Sequence, residues 1–296
     1  MSFRFISVLI VAAGMEGKAS YPSLLVIEGA KSADPERSRL SHAKNEAAPP
    51  KKLALLIGSP VGQLRRTGND VQRMSDLLSR HGFRITTCSG KLYGMRATRE
   101  RIRKRWKELN SQCAPDDTVV IYYSGHGGLI QLTKEEMEKI DAERAQPWRY
   151  QFIVPIDYYS GSDFRGVLDV ELTRWLRDTT RKTHNVTVIF DCCHSARMAK
   201  NGEDNGFQVK SISNASYQAA SGLLNELRES GDPEDHIFIG GNPYAVRIAA
   251  AAADSFAWET DVKHRILDFR AKRNYGGLLT RNLVDVIEEA EESSKG

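Results

Sequence analysis

From residue 51 to about residue 290, short uninterrupted apolar runs alternate with longer segments whose apolar residues recur every three or four positions. The runs at 53–57 (LALLI), 119–123 (VVIYY) and 186–190 (VTVIF) are strand-length and rich in aliphatic, β-branched or aromatic residues, the pattern of strands buried on both faces. Between them, residues 69–81 place Val71, Met74, Leu77 and Leu78 on one helical face, with Gly82 as a stop. Thr98 is a helix cap ahead of Ile102, Trp106 and Leu109, spaced i, i+4, i+7, and residues 171–180 carry Leu172, Trp175 and Leu176. Shorter strands are expected at 83–88, 151–155 and 236–239, an apolar run at 244–253, and a final helix burying Leu279, Leu283, Val286, Ile287 and Ala290. Strands alternating with helices predict an α/β fold, a mostly parallel central sheet with helices on both faces.

The first 50 residues do not follow this pattern. Arg4 precedes a nine-residue run at 5–13 that is apolar except for Ser7, the layout of a signal-like segment over 4–14, or else of a disordered leader or an extra strand. Nine residues are too short to span a bilayer. Residues 28–50 are polar and end in Pro-Pro, so residues 1–50 read as leader and linker and are expected to be disordered.

A chain of 296 residues can bury a core large enough to need no staples. The four cysteines, Cys88, Cys113, Cys192 and Cys193, form no CxxC pair, which suits a reducing compartment. Cytoplasmic localisation is expected, with secretion if residues 4–19 act as a signal peptide. The net charge of +4 and the basic stretch at 99–107, the solvated face of an amphipathic helix, point to neither nucleic acid nor membrane as a partner. Oligomeric state is not legible.

In parallel sheets reactive groups collect at the carboxyl ends of the strands. Two such ends carry chemistry: Ser124-Gly-His126-Gly127-Gly after VVIYY and Asp191-Cys192-Cys193-His194 after VTVIF. His126 either completes a tight turn or presents an imidazole suited to proton transfer near neutral pH. Cys193 is a nucleophile only if a base is close, so the two residues make sense as a pair. Cys192 points to the opposite side as a small buried hydrophobe. Adjacent Asp, Cys, Cys and His cannot easily converge on one tetrahedral ion, and no metal site is expected. Asp70, Asp169 and Asp191 are either turn formers or, if they converge, an anionic pocket for an ammonium or guanidinium group.

YYSGHGG (122–128) and DCCHSA (191–196) resemble the histidine and cysteine motifs of the caspase-like cysteine peptidases (peptidase family C14), and of the metacaspases more closely than the animal caspases. IVPIDY (153–158), GVLDVEL (166–172) and GGLLT (276–280) match weaker blocks in order, and the resemblance runs over about residues 51–290. It implies a caspase-hemoglobinase fold and a cysteine endopeptidase with a Cys193/His126 dyad. The oxyanion would be held by the N–H groups of Gly127 and Cys193, and a pocket of Asp70, Ser124, Asp169 and Asp191 would take Arg or Lys before the cut. Arg66 falls where caspases place a pocket arginine and speaks for the opposite charge. The implied partners are protein or peptide substrates with a basic P1 residue, and the implied setting is regulated proteolysis or programmed cell death. Many metacaspases need calcium. Asp157 and Asp169 match part of such a site, but Val170 and Lys200 replace carboxylates, so no cofactor is expected. The polar, loop-rich stretch at 202–233 resembles the linker between the family's large and small subunits, which implies a large-subunit-like part at 51–200, a linker at 201–235 and a small-subunit-like part at 236–290. Lys200, Lys210 and Arg228 are candidate self-cleavage sites on the expectation that they are exposed. The reading from another class is a catalytically silent caspase-like domain acting as a signalling or scaffold protein.

Overall fold

The computed structural model describes residues 26–28, 49–87, 97–139, 149–193, 207–230, 242, 244–250, 257–260 and 276–294. In chain order the elements are β1 (Val26–Glu28), β2 (Lys52–Gly58), α1 (Thr67–Arg80), β3 (Arg84–Thr87), α2 (Arg99–Gln112), β4 (Thr118–Ser124), β5 (Gly127–Gln131), α3 (Lys134–Lys139) and β6 (Arg149–Ile153). There follow β7 (Val167–Leu168), α4 (Asp169–Thr180), β8 (Asn185–Asp191), β9 (Phe207–Val209), α5 (Tyr217–Glu229), β10 (Ala245–Ala249), β11 (Trp258–Thr260), β12 (Gly276–Gly277) and α6 (Leu278–Ser293). The main sheet has the order β1-β10-β8-β4-β2-β3, parallel throughout except for β1, which pairs antiparallel with β10. Two three-stranded sheets, β12-β11-β9 and β5-β6-β7, flank it.

Strand alternation sorts the core into two layers. Ala54, Leu56, Val120, Tyr122, Ile189, Val246 and Ile248 pack under α1 and α6. Leu53, Leu55, Ile57, Val119, Ile121, Val186 and Val188 pack under α2 and α4. The helices form where the periodicity predicts them. The Thr98 hydroxyl accepts the Arg101 N–H at 3.3 Å to cap α2, and Trp106 Nε1 donates to the Thr179 hydroxyl at 3.0 Å, joining α2 to α4.

Three expectations change. The final helix buries Leu279, Thr280, Leu283, Val284 and Ile287, so Val284 replaces Val286, which is half-buried with Ala290 at the edge of the stripe. Within the stretch read as a linker, residues 207–209 are a strand and 217–229 a helix. Ala220 and Leu224 of that helix are buried, with Leu223 and Leu227 packed beside them. Within the stretch read as leader and linker, Val26–Glu28 is a sheet strand. The signal-like segment 4–14 and the strand expected at 236–239 lie outside the described residues, as does Cys88.

Candidate active site

The register of the parallel strands places Gly58, Ser124 and Asp191 in one row at the carboxyl edge of the sheet. Ser124 and Asp191 lie on the α1/α6 side, because Tyr122 and Ile189, two residues earlier on each strand, pack there. The first turn of α1 brings Asp70 to the same spot. These side chains surround Lys210, which is 0% exposed. Its Nζ donates to Ser124 Oγ at 2.9 Å and to Asp70 Oδ2 at 3.2 Å, and lies 3.1 Å from Asp191 Oδ1. Ser124 Oγ in turn donates to Asp70 Oδ2 at 2.7 Å. The Thr280 hydroxyl holds the other Asp191 oxygen at 2.5 Å, and the Gly277 N–H holds Asp70 Oδ1 at 2.9 Å.

Burial works against the Lys210 charge, yet Asp191, Asp70 and Glu259 outweigh it and hold the ammonium above its ordinary range. Burial pushes Asp191 upward, Lys210 pulls it down and Asp70 pushes it up again. Two carboxylates facing one another in a dry pocket are tolerable only with a cation between them. The opposite wall is backbone: a Cβ on Gly277 would run into Asp191 Oδ2 and Lys210 Nζ, and one on Gly276, at φ +140°, into Asp70 Oδ1. The GGLLT block is thus the closing face of the pocket.

The backbone of the same lysine lies between the two motifs. Its carbonyl oxygen accepts the N–H of Gly127 at 3.0 Å and that of Cys193 at 3.2 Å. His126 is 5% exposed, with its own carbonyl held by the Tyr123 hydroxyl at 2.7 Å and by the Val154 N–H at 3.1 Å. Its Nδ1 is buried without a hydrogen-bond partner among the described residues. Burial and the Lys210 charge lower the imidazole to about 4, while backbone groups of Val61 and Lys210 act in the opposite sense. Burial raises the Cys193 thiol to about 11, offset in part by the Ala257 backbone and the Ser211 side chain. The Lys210 charge thus acts on both side chains, lowering each. Cys192 packs in the α2/α4 layer, opposite Cys193, as strand alternation requires.

A family model described as "Metacaspase, peptidase C14 domain" matches residues 52–201, which span β2 through the cysteine motif. The chain belongs to the metacaspase family. It is 31% identical over 137 residues to Metacaspase-5 of Trypanosoma cruzi, covering 44% of this chain and 28% of that protein. It is 30% identical over 156 residues to Metacaspase-5 of Trypanosoma brucei brucei (49% and 29% covered), and 28% identical over 204 residues to Metacaspase-1 of Sclerotinia sclerotiorum (62% and 44%). The match thus spans less than half the length of these relatives. A crystal structure of a Geobacter sulfurreducens protein shares the fold at a TM-score of 0.56 and 18% identity, covering 81% of this chain and 83% of that one. Metacaspases are cysteine peptidases by family, and their substrates are proteins.

Asp70, Ser124 and Asp191 of this metacaspase converge, but Asp169 does not join them. Its carboxylate accepts the Gln151 N–H at 3.0 Å and the Val170 N–H at 2.9 Å, and it lines a separate small cavity with Trp106, Phe152, Leu176 and Arg247. The reason is positional: Asp169 opens α4, on the other face of the sheet from α1. The third carboxylate felt by Lys210 is Glu259, 1% exposed on β11. Its Oε1 accepts the N–H groups of Arg65 (2.9 Å) and Arg66 (3.1 Å), and its Oε2 has no partner among the described residues. Sequence reasoning missed it because β11 is only three residues long and carries no motif.

Asp157 accepts the Arg99 N–H at 2.9 Å and Arg165 Nη1 at 3.1 Å, so it and Asp169 are separately engaged. Among the described residues there is no group of three or more His, Cys, Asp or Glu that could hold a metal ion. Of the self-cleavage candidates, Lys210 is buried rather than exposed, Arg228 lies within the helical backbone of α5, and Lys200 falls outside the described residues.

Proposed function

We propose that this metacaspase is a cysteine endopeptidase that cuts after lysine or arginine, and that its own Lys210–Ser211 bond occupies the catalytic groove. One observation carries the reading. A single lysine has its ammonium among Asp70, Ser124 and Asp191 while its carbonyl oxygen takes both N–H donors of the histidine and cysteine motifs.

Cys193 Sγ attacks the Lys210 carbonyl carbon and its proton passes to His126. The negative oxygen that forms stays on the Gly127 and Cys193 N–H groups, which already point at it. The C–N bond then breaks, the Ser211 nitrogen leaves with the proton from His126, and a thioester remains. Water gives a proton to His126 and attacks the thioester, leaving the Lys210 carboxylate and the restored thiol. Arginine suits the same pocket, since its guanidinium offers several donors to the two carboxylates.

The test is intact-mass analysis of the full chain, with peptide substrates ending in Lys, Arg or Asp assayed alongside. Expected are a new N-terminus at Ser211, none in Cys193→Ala, and cleavage after Lys or Arg about 100-fold or more above Asp. Equal hydrolysis by Cys193→Ala overturns the mechanism, and faster cleavage after Asp overturns the pocket. A silent scaffold domain would cut neither itself nor any peptide.

A further inference from the structure

The chain on both sides of the Lys210–Ser211 bond is held as strand. Before the bond, β9 runs antiparallel to β11, pairing Val209 with Trp258 and Gln208 with Glu259, and the Lys210 N–H donates to the Ala257 carbonyl at 2.9 Å. After it, the backbone turns parallel to β5, with bridges Gly127 to Ser211 and Ile130 to Ala215. The Ile212 N–H donates to the Gly127 carbonyl and the Ala215 N–H to the Leu129 carbonyl, both at 3.0 Å.

Gly127 therefore grips the segment twice: its N–H holds the Lys210 carbonyl and its own carbonyl holds the Ile212 N–H. Seating Ile212 fixes the bond to be cut relative to one of its oxyanion donors. The Ile212 side chain has an apolar seat. With Ala215 it packs against the cluster of Val61, Ile130, Leu132, Tyr150 and Phe152, whereas Ser213 and Asn214 between them are exposed.

Resting on the reading that Lys210–Ser211 is a cleavable bond, we infer that the groove also selects residues after the cut. A substrate pairs with β5 there and places an aliphatic side chain, at the second residue beyond the bond, on the Ile130/Phe152 cluster. The specificity is bipartite: a basic residue before the bond and an apolar one two places after it.

The experiment follows the cut after Lys210 in the full chain by intact mass, for Ile212→Val, Ile212→Ala and Ile212→Asp, with Ser213→Asp as an exposed control and thermal unfolding as the folding check. Loss of half-buried methyl groups is expected to slow the cut about fivefold in Ile212→Ala and at least about 20-fold in Ile212→Asp, with Ile212→Val and Ser213→Asp within about twofold of the parent. If Ile212→Asp fails to fold, the Val-to-Ala step decides alone. Equal rates across the folded variants overturn the inference and leave the peptidase reading standing. No cut in the unsubstituted chain overturns that reading and the inference with it.

Discussion

The backbone N–H of Cys193 donates to the carbonyl oxygen of Lys210 at 3.2 Å. An N–H at the tip of a buried parallel strand would otherwise face the groove unpaired, at a cost of about 1–3 kcal/mol. The chain meets that need with one of its own carbonyls, and the lysine side chain beyond it neutralises a pocket that would otherwise hold two facing carboxylates. On the proposed reading, a basic substrate residue would match both contacts at once.

The neutral state of the resting pair fixes the pH dependence of the first cut. With His126 lowered to about 4 and Cys193 raised to about 11, the uncharged forms prevail from about pH 5 to pH 10. Self-cleavage of the full chain should therefore be flat between these limits, with no acid limb near the ordinary histidine value of about 6.5. A single-turnover pH series read by intact mass checks this. A half-rate point near pH 6.5 would show an imidazole exposed before cleavage.

Gly277→Ala should close the pocket, since its methyl group would overlap Asp191 and the Lys210 ammonium. Cleavage after lysine should fall by about 100-fold or more and the melting temperature should drop. Gly68→Ala, in α1 with open space at the Cβ, should instead stabilise by about 0.5–1 kcal/mol. Parallel melting curves and peptide assays separate the two.

Asp191→Asn removes the carboxylate held by Thr280 while Asp70 remains to pair with the cation. Breaking one side of a buried charge cluster costs about 3–5 kcal/mol when no partner is left and less when one survives. Cleavage after Lys and Arg should fall at least about tenfold in either single variant, and Asp70→Asn/Asp191→Asn should neither hold Lys210 nor cut after it. Kinetics with Lys, Arg and neutral substrates check the order.

Glu259 gives a stability signature. Burial raises its carboxyl from 4.5 to about 7, so the folded chain binds its proton more tightly than the unfolded chain does. Its contribution is complete below about pH 4.5, declines as pH rises from there through about 7 and is lost above that, by about 3 kcal/mol in all. Glu259→Gln keeps an oxygen for the Arg65 and Arg66 N–H groups and should lose this decline. Denaturant titrations at pH 4.5 and 7.5 measure the difference.

The sheet and its helices were legible because long buried strands and amphipathic helices carry strong periodicity: residues 53–57 and 119–123 lie inside β2 and β4, and Thr98 caps α2. His126, Cys193, Asp70, Ser124 and Asp191 followed from strand ends and motifs. The Lys210 contact did not, because polar composition around residues 202–233 concealed a short strand, and pairing with β11 rather than local propensity makes it one. The helix after it was there to be found, since Ala220, Leu223, Leu224 and Leu227 repeat at helical spacing. Asp169 was misplaced because one carboxylate in a motif block does not say on which side of the sheet its helix begins.

The antiparallel strand Val26–Glu28 has its own consequence. Its pairing with Arg247, Ile248 and Ala249 gives that part of β10 partners on both flanks, β1 and β8. A bare β10 border would offer unsatisfied amides to any passing extended chain. A stretch far upstream of the catalytic motifs thus acts as selvedge, and trimming it away would make the domain prone to knit laterally with its neighbours.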